Sequence, residues 1–86
     1  MKLSLARLDS VLDQQRIAGS TTMRIRGPRV AMESLSQEIA GRDGPQLEKV
    51  EDGGKVITTY LGIPFGIDDK LKPGMYVVLD MERMVP

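Results

Sequence analysis

The sequence predicts a small α+β domain: two helices packed on a small, mostly antiparallel sheet, in the order helix, strand, helix, then two or three strands. Three observations point there. Apolar residues recur at helical spacing in two segments of the first half, they alternate at strand spacing in the last third, and Gly and Pro punctuate the joints.

The first helix is expected from Ser4 to Ala18. Leu5, Leu8, Val11, Leu12 and Ala18 fall on one face and Arg7, Asp9, Asp13, Gln14 and Arg16 on the other, and Gly19 is a natural stop. Thr22 to Arg26 follows as a short strand with Met23 and Ile25 on one side. Gly27-Pro28 ends it, and proline suits a helix start because its missing N–H costs nothing there. Ala31, Leu35 and Ile39 then recur every four residues until Gly41. Arg42 to Gly54 reads as a turn-rich connection, with Asp43-Gly44-Pro45 and Asp52-Gly53-Gly54 bracketing Gln46 to Val50. Val56 to Leu61 is β-branched and aromatic. Ile63, Phe65 and Ile67 alternate next, where Pro64 predicts an edge strand or a bend. Lys72-Pro73-Gly74 is a turn, and Met75, Val77, Leu79 and Met81 alternate in the last strand. Met23, Met32, Met75 and Met81 are expected on buried faces. Met84-Val85-Pro86 is read as apolar surface for a partner.

At 86 residues the chain makes one domain, spanning residues 1–86. A domain of this size buries only about 60–65% of its unfolded surface. Small chains compensate with disulfides, a metal or a partner. With no cysteine and no histidine, disulfides, thiolate metal sites and a conventional catalytic triad are excluded, which leaves association as the remedy. No apolar run approaches the roughly 18–20 residues of a membrane span, and the N-terminus is too polar for a signal-peptide core. A cytoplasmic protein is expected.

Catalysis is not expected. The glycines show no phosphate-loop spacing, and none of Ser10, Ser20, Ser34 and Ser36 sits in a nucleophile elbow. Asp68-Asp69 are adjacent acids suited to a hard cation, but without a third ligand at fixed spacing they read as a solvated turn before Lys70. Arg24, Arg26 and Arg29 cluster without an aromatic platform, so no specific nucleic-acid site is read from them. No cofactor and no small-molecule substrate are expected.

Net charge is zero but unevenly placed. Residues through Arg42 carry seven basic and four acidic side chains, and those from Asp43 onward carry five and eight. A chain polarised in this way suits head-to-tail pairing with copies of itself.

One stretch has a familiar order. Met23-Arg24-Ile25-Arg26-Gly27-Pro28-Arg29-Val30 is followed by a helix through Ile39 and a turn-rich loop. Val56-Ile57-Thr58-Thr59-Tyr60-Leu61-Gly62-Ile63-Pro64-Phe65-Gly66-Ile67-Asp68-Asp69 comes after it, and a Leu-Asp-x-x-Leu-Asp helix stands before. Over roughly residues 5–70 this resembles the later part of the major capsid proteins of tailed bacteriophages, whose shell fold is shared with encapsulin-type compartments. Those coat proteins are several times longer, with an N-terminal arm, an extended loop and a spine helix that have no counterpart here. The resemblance therefore implies a fragment or a compact version of a larger shell domain.

It implies a structural protein of the host cytoplasm or virion that self-assembles through head-to-tail contacts with copies of itself or related shell subunits, with no cofactor. Arg24, Arg26, Asp68 and Asp69 are the expected subunit-contact residues, with the Arg42 to Gly54 loop and the Asp68 to Lys72 turn as contact regions. Reversing charge at either pair is expected to weaken assembly and leave the monomer folded. The alternative is a small protein-binding or regulatory module within a larger complex, whose last strand adds to a partner's sheet.

Overall fold

A computed structural model describes residues 4–83. It has two helices and one five-stranded sheet, in the order α1 (Leu5–Ile17), β1 (Ser20–Gly27), α2 (Arg29–Ala40), β2 (Glu48–Asp52), β3 (Lys55–Tyr60), β4 (Ile63–Ile67) and β5 (Val78–Arg83). The sheet order is β2-β3-β4-β1-β5, with every neighbouring pair antiparallel except β1 and β4. The small α+β arrangement predicted from the residue pattern is the one observed.

Local chemistry explains the helix ends. The Ser4 hydroxyl accepts from the Arg7 N–H at 3.2 Å and caps α1. Glu38, reaching across from α2, accepts the Leu5 N–H at 3.2 Å and ties the two helices together. Pro28 stands just before α2, held extended, as a residue entering a helix should be. At the far end of α2 the Gln46 amide donates to the carbonyls of Ile39, Arg42 and Gly44, which satisfies acceptors the helix leaves open.

Both helices pack on the same face of the sheet. Leu5, Leu8 and Leu12 of α1 meet Met32, Leu35 and Ile39 of α2 over Ile25, Tyr60 and Phe65. Ile25 and Phe65 are register partners across the parallel β1–β4 ladder, which places both under the helices. Leu79 pairs with Ile25 from the other side and closes the core at β5 together with Val77. Gly27 is needed for this closure. A Cβ there would lie 2.9 Å from the Met32 sulfur and 2.9 Å from the Tyr76 carbonyl oxygen.

Four expectations are corrected. The segment from Glu48 to Asp52, read as part of a turn-rich connection, is a strand. It pairs with β3 through the two-residue turn Gly53-Gly54, whose φ angles of 58° and 84° are those a primed hairpin turn requires.

Pro64 lies in an interior strand, not at an edge. β4 pairs with β3 only through Ile63 and Pro64 and with β1 only from Phe65 onward. The residue without an N–H thus sits where one ladder ends and the other begins.

Of the four methionines assigned to buried faces, only Met32 is buried. A register shift between Thr22 and Arg24 takes Met23 out of the alternation. Met75 precedes a strand that begins only at Val78, and Met81 lies on an edge strand opposite Thr22, beside the same shift. The last strand therefore starts three residues later than the alternation from Met75 suggests. Met84-Val85-Pro86 lies outside the described residues.

Candidate functional site

The face of the sheet turned away from the helices has no helix over it. Alternation puts Arg24 and Arg26 of β1, Pro64 and Gly66 of β4, Ile57 and Thr59 of β3, and Val78 and Asp80 of β5 on this side. Arg24 pairs with Asp80 in register, and its Nε donates to the Asp80 carboxylate at 2.9 Å. Arg26 bridges two carboxylates, donating to Asp80 at 2.9 Å and to Asp68 at 2.7 Å.

The Arg26 guanidinium is held charged above its ordinary range by its bonds to Asp80 and Asp68. Asp80 is in turn pulled below the usual carboxylate range by Arg26 and Arg24. Asp68 is lowered first by the Lys70 backbone N–H it accepts and then by Arg26. Asp69 turns outward to Arg29, at 3.4 Å between exposed side chains.

All four expected contact residues therefore lie at one end of the sheet, and three of them, with Asp80, form one network within the chain. Arg26 and Asp68 answer each other, so reversing either perturbs the monomer as well as any neighbour. Arg24 is tied to Asp80 but its side chain is 58% exposed, and Lys70 is exposed, so these two cations are the ones the network leaves most open to solvent. Asp80 was the member sequence reasoning missed. Its opposition to Leu79 across the strand was legible, but its pairing with β1 was not.

A second cluster joins three elements at the opposite end of the sheet. The Tyr60 hydroxyl donates to Asp9 of α1 and accepts from Arg42 Nη2 at 2.6 Å, while Arg42 Nη1 reaches the other Asp9 oxygen at 3.0 Å. Arg42 also donates to the Pro45 carbonyl at 3.1 Å, and its guanidinium lies 5.7 Å from the Tyr60 ring centroid. Burial pushes the Tyr60 phenol up, and the neighbouring Asp9 carboxylate pushes it further. Burial opposes the charge on Arg42, but its bonds to Asp9 and Tyr60 outweigh that and raise it. The cluster is a clasp between α1, the α2–β2 connection and β3. It borders a groove of about 640 Å³ floored by Leu12 and Ile63, with Leu61 at its mouth. Leu61 is 53% exposed and holds a φ of 53°, a conformation L side chains adopt at a cost.

The third feature is the β2–β3 ribbon. Every residue of β2 is exposed, and the first four residues of β3 pair only with β2. Val50 faces Ile57 across the ribbon on one side, and Val56, 69% exposed, stands on the other. The first part of the Arg42 to Gly54 contact region is held to the body by the clasp and by Gln46, and its second part is this projecting strand.

Among the described residues no three His, Cys, Asp or Glu side chains converge on a metal position, and no helix is long and apolar enough to cross a membrane. Comparison with protein-family models, with curated proteins and with solved structures gives no match.

Proposed function

We propose that this chain is a structural subunit that assembles head-to-tail with copies of itself, in the manner its resemblance to phage-type shell proteins implies. The observation that carries the reading is the β2–β3 ribbon. A two-stranded ribbon standing free in water is only marginally stable, and this one presents apolar residues on both faces. Covering it against a neighbour removes Val50, Val56 and Ile57 from water and holds its strands in register. The uncovered sheet face and the exposed Leu61 add further area for several weak contacts, which is how lattices are held. On this reading the protein works in the host cytoplasm or in the particle it builds, and it needs neither cofactor nor catalytic residue.

Light scattering over a range of concentrations tests the proposal. Large species of regular size, growing with concentration, are expected, and a monomer at every concentration refutes it. One observation favours a second reading. β5 is an edge strand, and a small binding module would add such an edge to the sheet of a different protein. A defined one-to-one complex with such a partner, in place of large species, would select that reading.

A further inference from the structure

The sheet is split. The ladder between β3 and β4 holds two pairs, Thr59 with Pro64 and Tyr60 with Ile63. Continued in the same register it would join Thr58 to Phe65, Ile57 to Gly66 and Val56 to Ile67, yet no pairing runs on. Beyond Pro64, β4 turns its hydrogen bonds to β1, while β3 keeps its own for β2. One backbone edge of each strand is left facing a V-shaped cleft of about 550 Å³, walled by Ile57 and Thr58 on one side and by Phe65 to Ile67 on the other.

Two residues mark the cleft. Pro64 stands at the fork, where pairing passes from β3 to β1, and its nitrogen faces β1, as the Asp68 nitrogen does in donating to the Gly27 carbonyl. Gly66 is exposed, its φ is not in the left-handed region, and a Cβ added there would meet nothing within 4 Å. The fold does not require glycine at this place, although glycine inside a strand costs about 0.5–1 kcal/mol relative to alanine. A glycine kept against that cost suits a site where another backbone approaches closely.

We propose that this cleft receives, as an added strand, the β2 edge of a second copy. The inference rests on the assembly reading above and names the surface on which the ribbon lands. Charge is what selects the occupant. The ionised residues lining the cleft are Arg24, Arg26, Lys70 and Asp68, a formal +2, which stays positive at +1 when Asp80, bound behind both arginines, is included. The β2 segment, Glu48-Lys49-Val50-Glu51-Asp52, carries a formal −2, is extended and fully exposed, and has an outer edge no other strand covers. Within one chain β2 is committed to β3, so the complementary match is met between copies. Each copy offers one ribbon and one cleft, which makes the contact heterologous and repeatable, as head-to-tail assembly demands.

A charge swap in the full chain tests this. One variant, Arg24→Gln with Lys70→Glu, takes the cleft lining from +2 to −1. The other, Glu48→Lys with Glu51→Lys, takes β2 from −2 to +2. Each variant alone should keep its fold by circular dichroism and remain monomeric, because its ribbon and its cleft repel. An equimolar mixture should recover the large species of the wild type by light scattering, with slowed amide exchange at Phe65 and Ile67, whose N–H groups face the cleft. If either variant alone assembles like the wild type, or the mixture stays monomeric, the cleft is not the docking surface, while an assembling wild type leaves the assembly reading standing. A monomeric wild type removes both. Slow amide exchange in a dilute monomer at Val56, Thr58, Phe65 and Ile67, whose N–H groups face the cleft and not β2 or β1, would show the cleft zipped shut within one chain and would also overturn the proposal.

Discussion

Tyr60→Phe isolates the clasp. The substitution keeps the ring, which is buried against Phe65 with centroids 6.3 Å apart, and removes only the hydroxyl. That hydroxyl makes two charge-assisted bonds, one given to Asp9 and one received from Arg42. A bond of this kind is worth about 1.5–3 kcal/mol when its loss leaves a buried charge unanswered. Here the loss is softened, because Asp9 and Arg42 keep their own contact at 3.0 Å and both side chains touch solvent. The expected cost is therefore about 1–2 kcal/mol for the pair of bonds. For a domain of this size that lowers Tm by roughly 5–15 °C.

Urea unfolding of the dilute chain measures it, and repeating the measurement across alkaline pH adds a second readout. The folded-state pKa of Tyr60 is raised, so the folded chain holds this proton more tightly than the unfolded chain does. The stability it contributes is fully present below the ordinary tyrosine pKa near 10 and is lost as pH rises through the higher folded value. The gap between wild type and Tyr60→Phe should accordingly narrow above about pH 10. A variant as stable as the wild type would show that the hydroxyl adds nothing and that ring packing alone holds the three elements, and a gap that does not narrow in alkali would show that the fold does not hold the Tyr60 proton more tightly than the unfolded chain.

Gly27→Ala should cost about 1–3 kcal/mol in the same urea assay, because the new methyl meets a backbone carbonyl as well as the yielding Met32 side chain. Leu61→Asn should stabilise the monomer by about 0.5–1 kcal/mol, since asparagine tolerates the left-handed conformation and no apolar side chain is left at the groove mouth. Acid unfolding should depend on Arg26. Asp80 and Asp68 are depressed in the fold, so their stabilisation is present above the ordinary carboxylate pKa and is lost as pH falls through the lower folded values. Arg26→Gln should flatten the loss of stability below pH 4, and a slope unchanged from wild type would remove Arg26 as its cause.

Periodicity along the chain was enough to place both helices and most of the strands. Leu5, Leu8 and Leu12, and then Ala31, Leu35 and Ile39, recur at a spacing that a helix turns onto one face, and they lie buried together with Met32, whereas Val11 is half-buried and Ala18, assigned to the same face, is exposed past the end of α1. The stop at Gly19, whose φ is 81°, and the start at Pro28 were equally local, because they depend on the conformations a single residue permits, whereas Gly41 ends α2 at an ordinary φ of −89°.

β2 escaped this reading because Glu-Lys-Val-Glu-Asp has no apolar face. It is a strand because Gly53-Gly54 folds it back on β3, not because it buries anything. The methionines were misplaced for a related reason. Alternation specifies that Met75, Val77, Leu79 and Met81 share a face, but how far the helices cover that face depends on where the strand begins and on the shift in its partner.

The clasp and the split sheet lie further still from anything local. Tyr60 and Asp9 are 51 positions apart in the chain, and Arg26 and Asp80 are 54 apart. Such pairs meet through strand order and register, which arise from how all the elements fit around one core. The four charged residues first singled out, Arg24, Arg26, Asp68 and Asp69, do lie at one end of the sheet. Folding joins Arg26 to Asp68 and leaves Arg24, tied to Asp80, more open to solvent, a division of roles that no spacing along the chain encodes.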